Sequence, residues 1–153
     1  MKENTYKEFP KTSIRICIDS YDDELMKGRI CGIALADEIS FSGIANLVVK
    51  VDDAFNRIGQ PQPFQVLRSF QDGDSYQTYK GDPNCFFKSE EISQREGKLV
   101  TVDMIMLSRK RAEWQGIIKN TEGQVIGEFD TILECVKLFE SIIMISEGYK
   151  YPL

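Results

Sequence analysis

The stretch "SIRICIDSYDDELMKGRICGIAL", residues 13–35, decides the fold. Ile14, Ile16 and Ile18 alternate with polar or small residues, and this spacing of two predicts a strand with one buried face. A polar turn, "YDDELMKG", leads to a second apolar strand, "RICGIAL". The pair is therefore predicted to form an antiparallel hairpin with one face that another layer must cover.

A helix that covers this face is predicted directly downstream. There the spacing between apolar residues changes from two positions to three or four. From Phe41 onward the apolar residues fall on one helical face, with polar residues opposite. Ser40 or Ser42 can cap the start of this helix, and Gly59 followed by Pro61 predicts its end.

The same order of elements returns near the C-terminus. "LVTVDMIML", residues 99–107, predicts a strand, and "EWQGIIK" and "QVIGEF" predict two more around the turn "NTEG". "DTILECVKLFESIIMI" then predicts an amphipathic helix, in which Thr131 and Glu134 have the spacing of a capping box.

A shift of 88 residues aligns the two halves without a gap. Under this shift Ile14 falls on Val102, Gly28 on Gly116 and Phe41 on Phe129. We therefore expect an α+β fold of duplicated βββα units, with antiparallel sheet or sheets covered by two amphipathic helices. The chain is expected to be one domain, 1–153, with repeats 12–59 and 99–148 joined by a loop-rich insert, 60–97. Whether the repeats share one sheet or form two layers is left open.

One group of proteins resembles the last third of the chain. Trp114-Gln115-Gly116, followed by Phe129 and the helix from Ile132, is similar to small uncharacterised bacterial proteins that pair a W-Q-G strand with an F-x-S-x-L-E-L-type helix. Here Asp130 and Thr131 stand where that pattern usually has Arg or another polar residue and then Ser. The resemblance implies no particular chemistry.

Composition restricts the possible functions. The 153 residues carry a net charge of −5, which disfavours general nucleic-acid binding, and contain no histidine. The absence of histidine removes His-activated nucleophiles and most zinc sites, so no catalytic residue, metal or cofactor is predicted. The N-terminus lacks the apolar segment of a secretory signal, no run of residues is long enough for a membrane span, and the four cysteines are scattered, so we expect a cytoplasmic protein.

The stretch "SRKRAEWQG", residues 108–116, holds the main candidate binding residues. Arg109, Lys110 and Arg111 could bind phosphate or an acidic partner, or could form a solvated turn between strands. Trp114 could be a stacking platform or part of the sheet surface. Arg68, in the insert, could anchor an anion or pin the loop to the sheet.

Three functional hypotheses follow from these observations. The first is a non-catalytic cytoplasmic module that acts by protein–protein contact, as a homodimer or with another protein. The second is a protein that binds a small anionic, nucleotide-like ligand, with the 60–97 insert as a lid and arginines as anion contacts. The third is an enzyme that depends on carboxylates or a metal.

Overall fold

The structure is a computed structural model that describes residues 8–61 and 83–146. Within these residues six strands form one antiparallel sheet in the order β3-β2-β1-β4-β5-β6, and three α-helices accompany it. In chain order the elements are β1 (Ser13–Asp22), β2 (Leu25–Cys31), β3 (Ile39–Ser42), α1 (Ile44–Ile58), α2 (Ser89–Ser93), β4 (Val100–Ser108), β5 (Gln115–Lys119), β6 (Val125–Phe129) and α3 (Ile132–Ser146). The prediction of an α+β fold is confirmed, and a single sheet answers the question of one sheet or two.

One face of the sheet and the two long helices share a hydrophobic core. The alternating residues Ile14, Ile16 and Ile18 of β1 are fully buried there, as the period of two predicts. Phe55 of α1 and Phe139 of α3 belong to the same cluster. Burial of this apolar surface is the main source of stability.

The helix ends are fixed by local signals. Gly59 adopts a left-handed φ of 92° at the end of α1, as the sequence predicts. Gly43, not Ser40 or Ser42, is the residue before α1, and the side chain of Asn46 accepts a hydrogen bond from the Ser42 N–H at 2.9 Å. At α3 the Thr131 hydroxyl accepts a bond from the Glu134 N–H at 3.0 Å, which is one half of a capping box.

The central strands β1 and β4 pair so that residues 88 apart lie opposite each other at one point. Arg15 is opposite Asp103, and the ladder extends symmetrically from there to the pairs Ser13–Ile105 and Cys17–Thr101. On either side of this point the β1–β2 and β4–β5 ladders have a register shift at matching positions, after Ile18 and after Met106.

The second face of the sheet, called the outer face below, is covered over β1 and β2. A small cluster of Cys17, Cys31 and Ile33 is buried there by Ile92 of α2, with Phe87 packed beside it. The insert that the sequence predicts to be loop-rich therefore contains a short helix, because the described part, 83–97, includes α2. Residues 62–82 lie outside the described residues.

Candidate functional site

The basic turn between β4 and β5 is built on two left-handed residues. Arg111 and Ala112 have φ angles of 58° and 61°, and the Glu113 N–H donates to the Lys110 carbonyl at 2.9 Å. Two consecutive positive φ angles closed by such a bond are typical of a type I′ turn. This backbone directs the flanking residues Arg109 and Trp114 inward, whereas Lys110 and Arg111 remain exposed.

Arg109 is a buried cation held by α1 and by the segment after it. Its side chain is only 2% exposed, and its Nη1 donates to Asp52 Oδ1 at 2.9 Å and to Asn56 Oδ1 at 3.1 Å. Its Nε donates to the Pro61 carbonyl at 2.9 Å. A buried guanidinium is tolerated because this carboxylate and these carbonyl oxygens compensate its charge. The sequence is compatible with Arg109 as an anion-binding residue or as part of a solvated turn. Neither interpretation predicts that its side chain is buried.

Trp114 is also buried, at 3% exposure, with its indole Nε1 3.5 Å from Asp52 Oδ1. Together with Arg109 it lines an open groove of about 380 Å³ between the turn, α1 and the start of α3. The other lining residues are Val48, Val49, Asp52, Ala112, Glu113 and Ile132. The Nη2 atom of Arg109 is buried, and the described residues provide no hydrogen-bond partner for it.

The structure therefore brings together two of the five candidate residues, Arg109 and Trp114, and leaves Lys110 and Arg111 outside the cluster. Arg68 lies outside the described residues. Sequence reasoning missed Asp52 and Asn56, because nothing in the pattern of α1 distinguishes these polar residues from the rest of its solvent-facing side. Only the long-range contact with the turn identifies them.

Replacing Ala112 with glycine is expected to raise the free energy of unfolding by about 0.5–1 kcal/mol, because a left-handed φ strains every residue with a Cβ. Chemical denaturation measures the change. The matched control is Ala36→Gly, at an exposed position without a positive φ, where no gain is expected. A loss of stability at Ala112 would contradict the expectation.

The acidic turn between β1 and β2 has the same backbone as the basic turn. Asp23 and Glu24 have φ angles of 54° and 63°, 88 residues before Arg111 and Ala112. The two turns extend from opposite ends of the antiparallel pair β1–β4, at least about 40 Å apart along the strand direction. Their opposite charges therefore cannot attract each other within one chain, since this distance exceeds several screening lengths.

A buried ion pair lies on the outer face at the centre of the sheet. Arg15 Nε donates to Asp103 Oδ1 at 2.8 Å and its Nη2 donates to Oδ2 at 3.0 Å, with side-chain exposures of 3% and 9%. Its Nη1 donates to three carbonyls at and just after α2, those of Ile92, Ser93 and Arg95, at 3.0–3.2 Å. Because all three nitrogens are engaged, Arg15 acts as a structural clamp that holds the α2 segment on the sheet.

The four cysteines differ in their environments. All four are free; Cys85 is exposed and the other three are buried. Burial raises the pKa of Cys135 to about 12, so its thiol stays protonated at neutral pH. The pKa of Cys17 is raised by its hydrogen bond with Cys31 and by burial. Among the described residues, no group of three or more His, Cys, Asp or Glu side chains could hold a metal ion.

One sheet edge presents an apolar surface. Val125 and Ile126 of the edge strand β6 are 51% and 43% exposed. Leu138 of α3 lies directly over Gly127, since a Cβ built on that glycine would be 2.7 Å from a Leu138 methyl. Ile142 and Ile145 continue the Leu138 side of the helix at spacings of four and seven, and Ile145 is 67% exposed. We call Val125, Ile126, Leu138, Ile142 and Ile145 the β6 edge surface.

The opposite edge of the sheet, at β3, is polar. The residues 88 positions before the β6 edge surface are Asp37, Glu38, Lys50, Ala54 and Arg57. Glu38 forms ion pairs with Arg29 and Arg95, at 3.6 and 3.3 Å, and Arg57 pairs with Asp53 at 2.9 Å. Within the described part of the chain, the two edges are therefore similar in geometry and opposite in chemistry, and of the two the β6 edge is the one with an apolar surface for contact.

Comparisons of the chain with protein-family models, with curated proteins and with solved structures found no significant match. The described helices include none that is both long and apolar enough to cross a membrane.

Proposed function

We propose that this protein is a non-catalytic cytoplasmic module that acts by protein–protein contact and associates with itself through the β6 edge surface. The observation that carries the proposal is the exposure of Val125, Ile126 and Ile145 on an edge whose counterpart at β3 is polar. Exposed apolar residues on an unpaired edge strand favour pairing with another chain. The free cysteines agree with a reducing compartment.

A second copy of the chain is the partner that fits best. Among the described residues β6 pairs only with β5, so its other edge can accept a strand. Antiparallel pairing of β6 with the same strand of a second copy closes a two-fold dimer and apposes the two α3 helices. Pairing of β6 with β3 would instead build an open chain of subunits, and the charged β3 edge opposes it.

We also propose that the fold arose by duplication of a βββα unit, with each unit covered by its own helix. The matched registers of the β1–β2 and β4–β5 ladders support this origin. The left-handed residues of the two turns and the bounds of the two long helices are likewise 88 positions apart. The dimer surface would then have arisen in one unit only, by replacement of polar residues at its edge.

The dimer is tested by light scattering on the double variant Ile126→Lys and Ile145→Glu. We expect the parent chain to have twice its 17.5 kDa mass and the variant to be a monomer, because the two charged side chains replace the apolar contacts and would have to lose their hydration when the edges pair. The matched control is Ser40→Lys with Arg57→Glu, at the β3 edge, which should remain a dimer. A monomeric parent chain, or a variant that remains a dimer, would exclude this assembly.

Binding of a small anion is the second candidate function, and one observation favours it. The Nη2 atom of Arg109 has no acceptor within residues 8–61 and 83–146, and an anion could supply one if the turn moved. Such a ligand would have to compete with Asp52 for the same guanidinium. A thermal-shift screen of nucleotides and other phosphates tests this hypothesis, and a melting temperature that no compound raises would argue against it.

A further inference from the structure

The structure contains two equivalent grooves at opposite ends of the helix pair. The groove at Arg109 and Trp114 has a counterpart of about 590 Å³ between the acidic turn, the start of α1 and the end of α3. This second groove is lined by Tyr21, Asp23, Glu24, Met26, Ile44, Glu140, Ile143 and Met144. Five of its residues (Tyr21, Glu24, Met26, Ile44 and Glu140) stand 88 positions from lining residues of the first groove (Arg109, Ala112, Trp114, Ile132 and Asp52).

In the first groove the chain supplies its own cation. The Arg109 guanidinium lies on the Asp52 carboxylate, which comes from the helix of the other unit. Trp114 fills the space beside it. The groove thus shows how a guanidinium on an aliphatic stem fits between the turn of one unit and the helix of the other.

In the second groove the carboxylate is kept, but the described residues supply no cation. Glu140 takes the place of Asp52, but Tyr21 takes the place of Arg109, and the smaller Met26 takes the place of Trp114. Asp23 and Glu24 add two further carboxylates at the rim. Within residues 8–61 and 83–146, none of these three acids has an ion-pair partner, and no lysine or arginine lines the groove.

We propose that the second groove binds a guanidinium group carried on an aliphatic stem, with the head group on Glu140 and the acidic rim. The stem packs on Met26, Ile44 and Ile143, which form an apolar floor. Apolar packing combined with a charge-assisted hydrogen bond is the usual way in which such cations are recognised. The inference rests on the proposed repeat and is independent of the proposed dimer.

The test is a titration of the full chain at low salt, followed by amide NMR shifts, with n-butylguanidinium as the probe. We expect shifts in residues 21–26, 44 and 140–144, and binding at least about tenfold weaker for neutral n-butylurea. Glu140→Gln should weaken binding about fivefold, whereas Glu122→Gln, in an exposed turn elsewhere, should not change it. An acetyl-Gly-Arg-Gly-amide peptide that binds more tightly than the free probe identifies a protein as the source of the group, and equal affinity identifies a small molecule.

A second variant keeps the test decisive if Glu140→Gln is poorly folded. Tyr21→Arg places a guanidinium at the position 88 residues before Arg109, where it can pair with Glu140 inside the chain. We expect this variant to fold and to lose at least about fivefold in probe affinity. The inference is overturned if neither probe shifts these residues at millimolar concentration, if butylurea binds as well as butylguanidinium, or if Tyr21→Arg binds the probe like the parent chain. None of these results would bear on the dimer, which light scattering tests.

Discussion

Replacing Asp103 with alanine is expected to lower the free energy of unfolding by about 3–5 kcal/mol. The substitution leaves the Arg15 guanidinium, 3% exposed, without the carboxylate that receives two of its hydrogen bonds. Arg15 and Asp103 border a small cavity of about 100 Å³, but both side chains are almost fully buried, so water can compensate the guanidinium only in part. Loss of one partner of a buried ion pair costs far more than the pair contributes, since it leaves an uncompensated charge.

Urea denaturation of the parent chain and of Asp103→Ala measures this loss, with the exposed Glu128→Ala as the control that should cost less than about 0.5 kcal/mol. The double variant Arg15→Met with Asp103→Leu removes both charges and should recover part of the loss. Recovery should be incomplete, because the three carbonyls that Arg15 holds at α2 lose their donor. A cost below about 1 kcal/mol for Asp103→Ala would mean that Arg15 is solvated.

Much of the sheet could be predicted because its signals are local. The alternation of Ile14, Ile16 and Ile18, and the change to helical spacing after Phe41, depend only on neighbouring residues. The short helix α2 could not be predicted in this way. It has five residues, too few for a periodic pattern, and it is held by Arg15, more than seventy positions earlier in the chain.

The burial of Arg15 is a second feature that local sequence patterns do not predict. Alternation places it correctly on the face opposite the core, where a charged residue is expected to meet water. That face is buried because α2 and the ring of Phe9 pack over it, and the packing of α2 is a non-local event. The composition of a single strand therefore predicts which face a residue occupies, but not whether that face is covered.

The sequence predicts only part of the candidate site, again because some of its residues come together through long-range contacts. The cluster of three cations and the single tryptophan indicate Arg109 and Trp114 as candidate binding residues. Their partner Asp52, 57 positions before Arg109, carries no distinguishing signal in the sequence. The β6 edge surface cannot be predicted from the sequence, because strand order decides which strands are edges and the sequence does not determine whether the two halves of the chain share a sheet. Val125 and Ile126 can be recognised as an exposed contact surface only when the strand order shows that β6 is an edge strand.

Replacing either Gly28 or Gly116 with alanine is expected to cost about 3 kcal/mol of unfolding free energy. A Cβ on Gly28 would be 2.1 Å from the Cys17 carbonyl oxygen and 2.9 Å from the ring of Phe41. A Cβ on Gly116 would be 2.4 Å from the Ile105 carbonyl oxygen and 2.8 Å from the ring of Phe129. Neither glycine has a left-handed φ, so the requirement is for space and not for backbone freedom.

The effects of the carbonyl oxygen and of the phenylalanine ring that approach each glycine can be separated by experiment. Pairing Gly116→Ala with Phe129→Leu shortens the ring that approaches but leaves the Ile105 carbonyl in place, so only part of the loss should be recovered. Gly59→Ala is the contrasting control: its φ of 92° costs about 1 kcal/mol, although no atom of the described residues lies within 4 Å of the new methyl group. Thermal and urea unfolding of all four variants measure the differences. If Gly28→Ala and Gly116→Ala cost no more than Gly59→Ala, strand β2 or β5 can move away from its neighbour, and the tight packing of phenylalanine on glycine does not hold the sheet together.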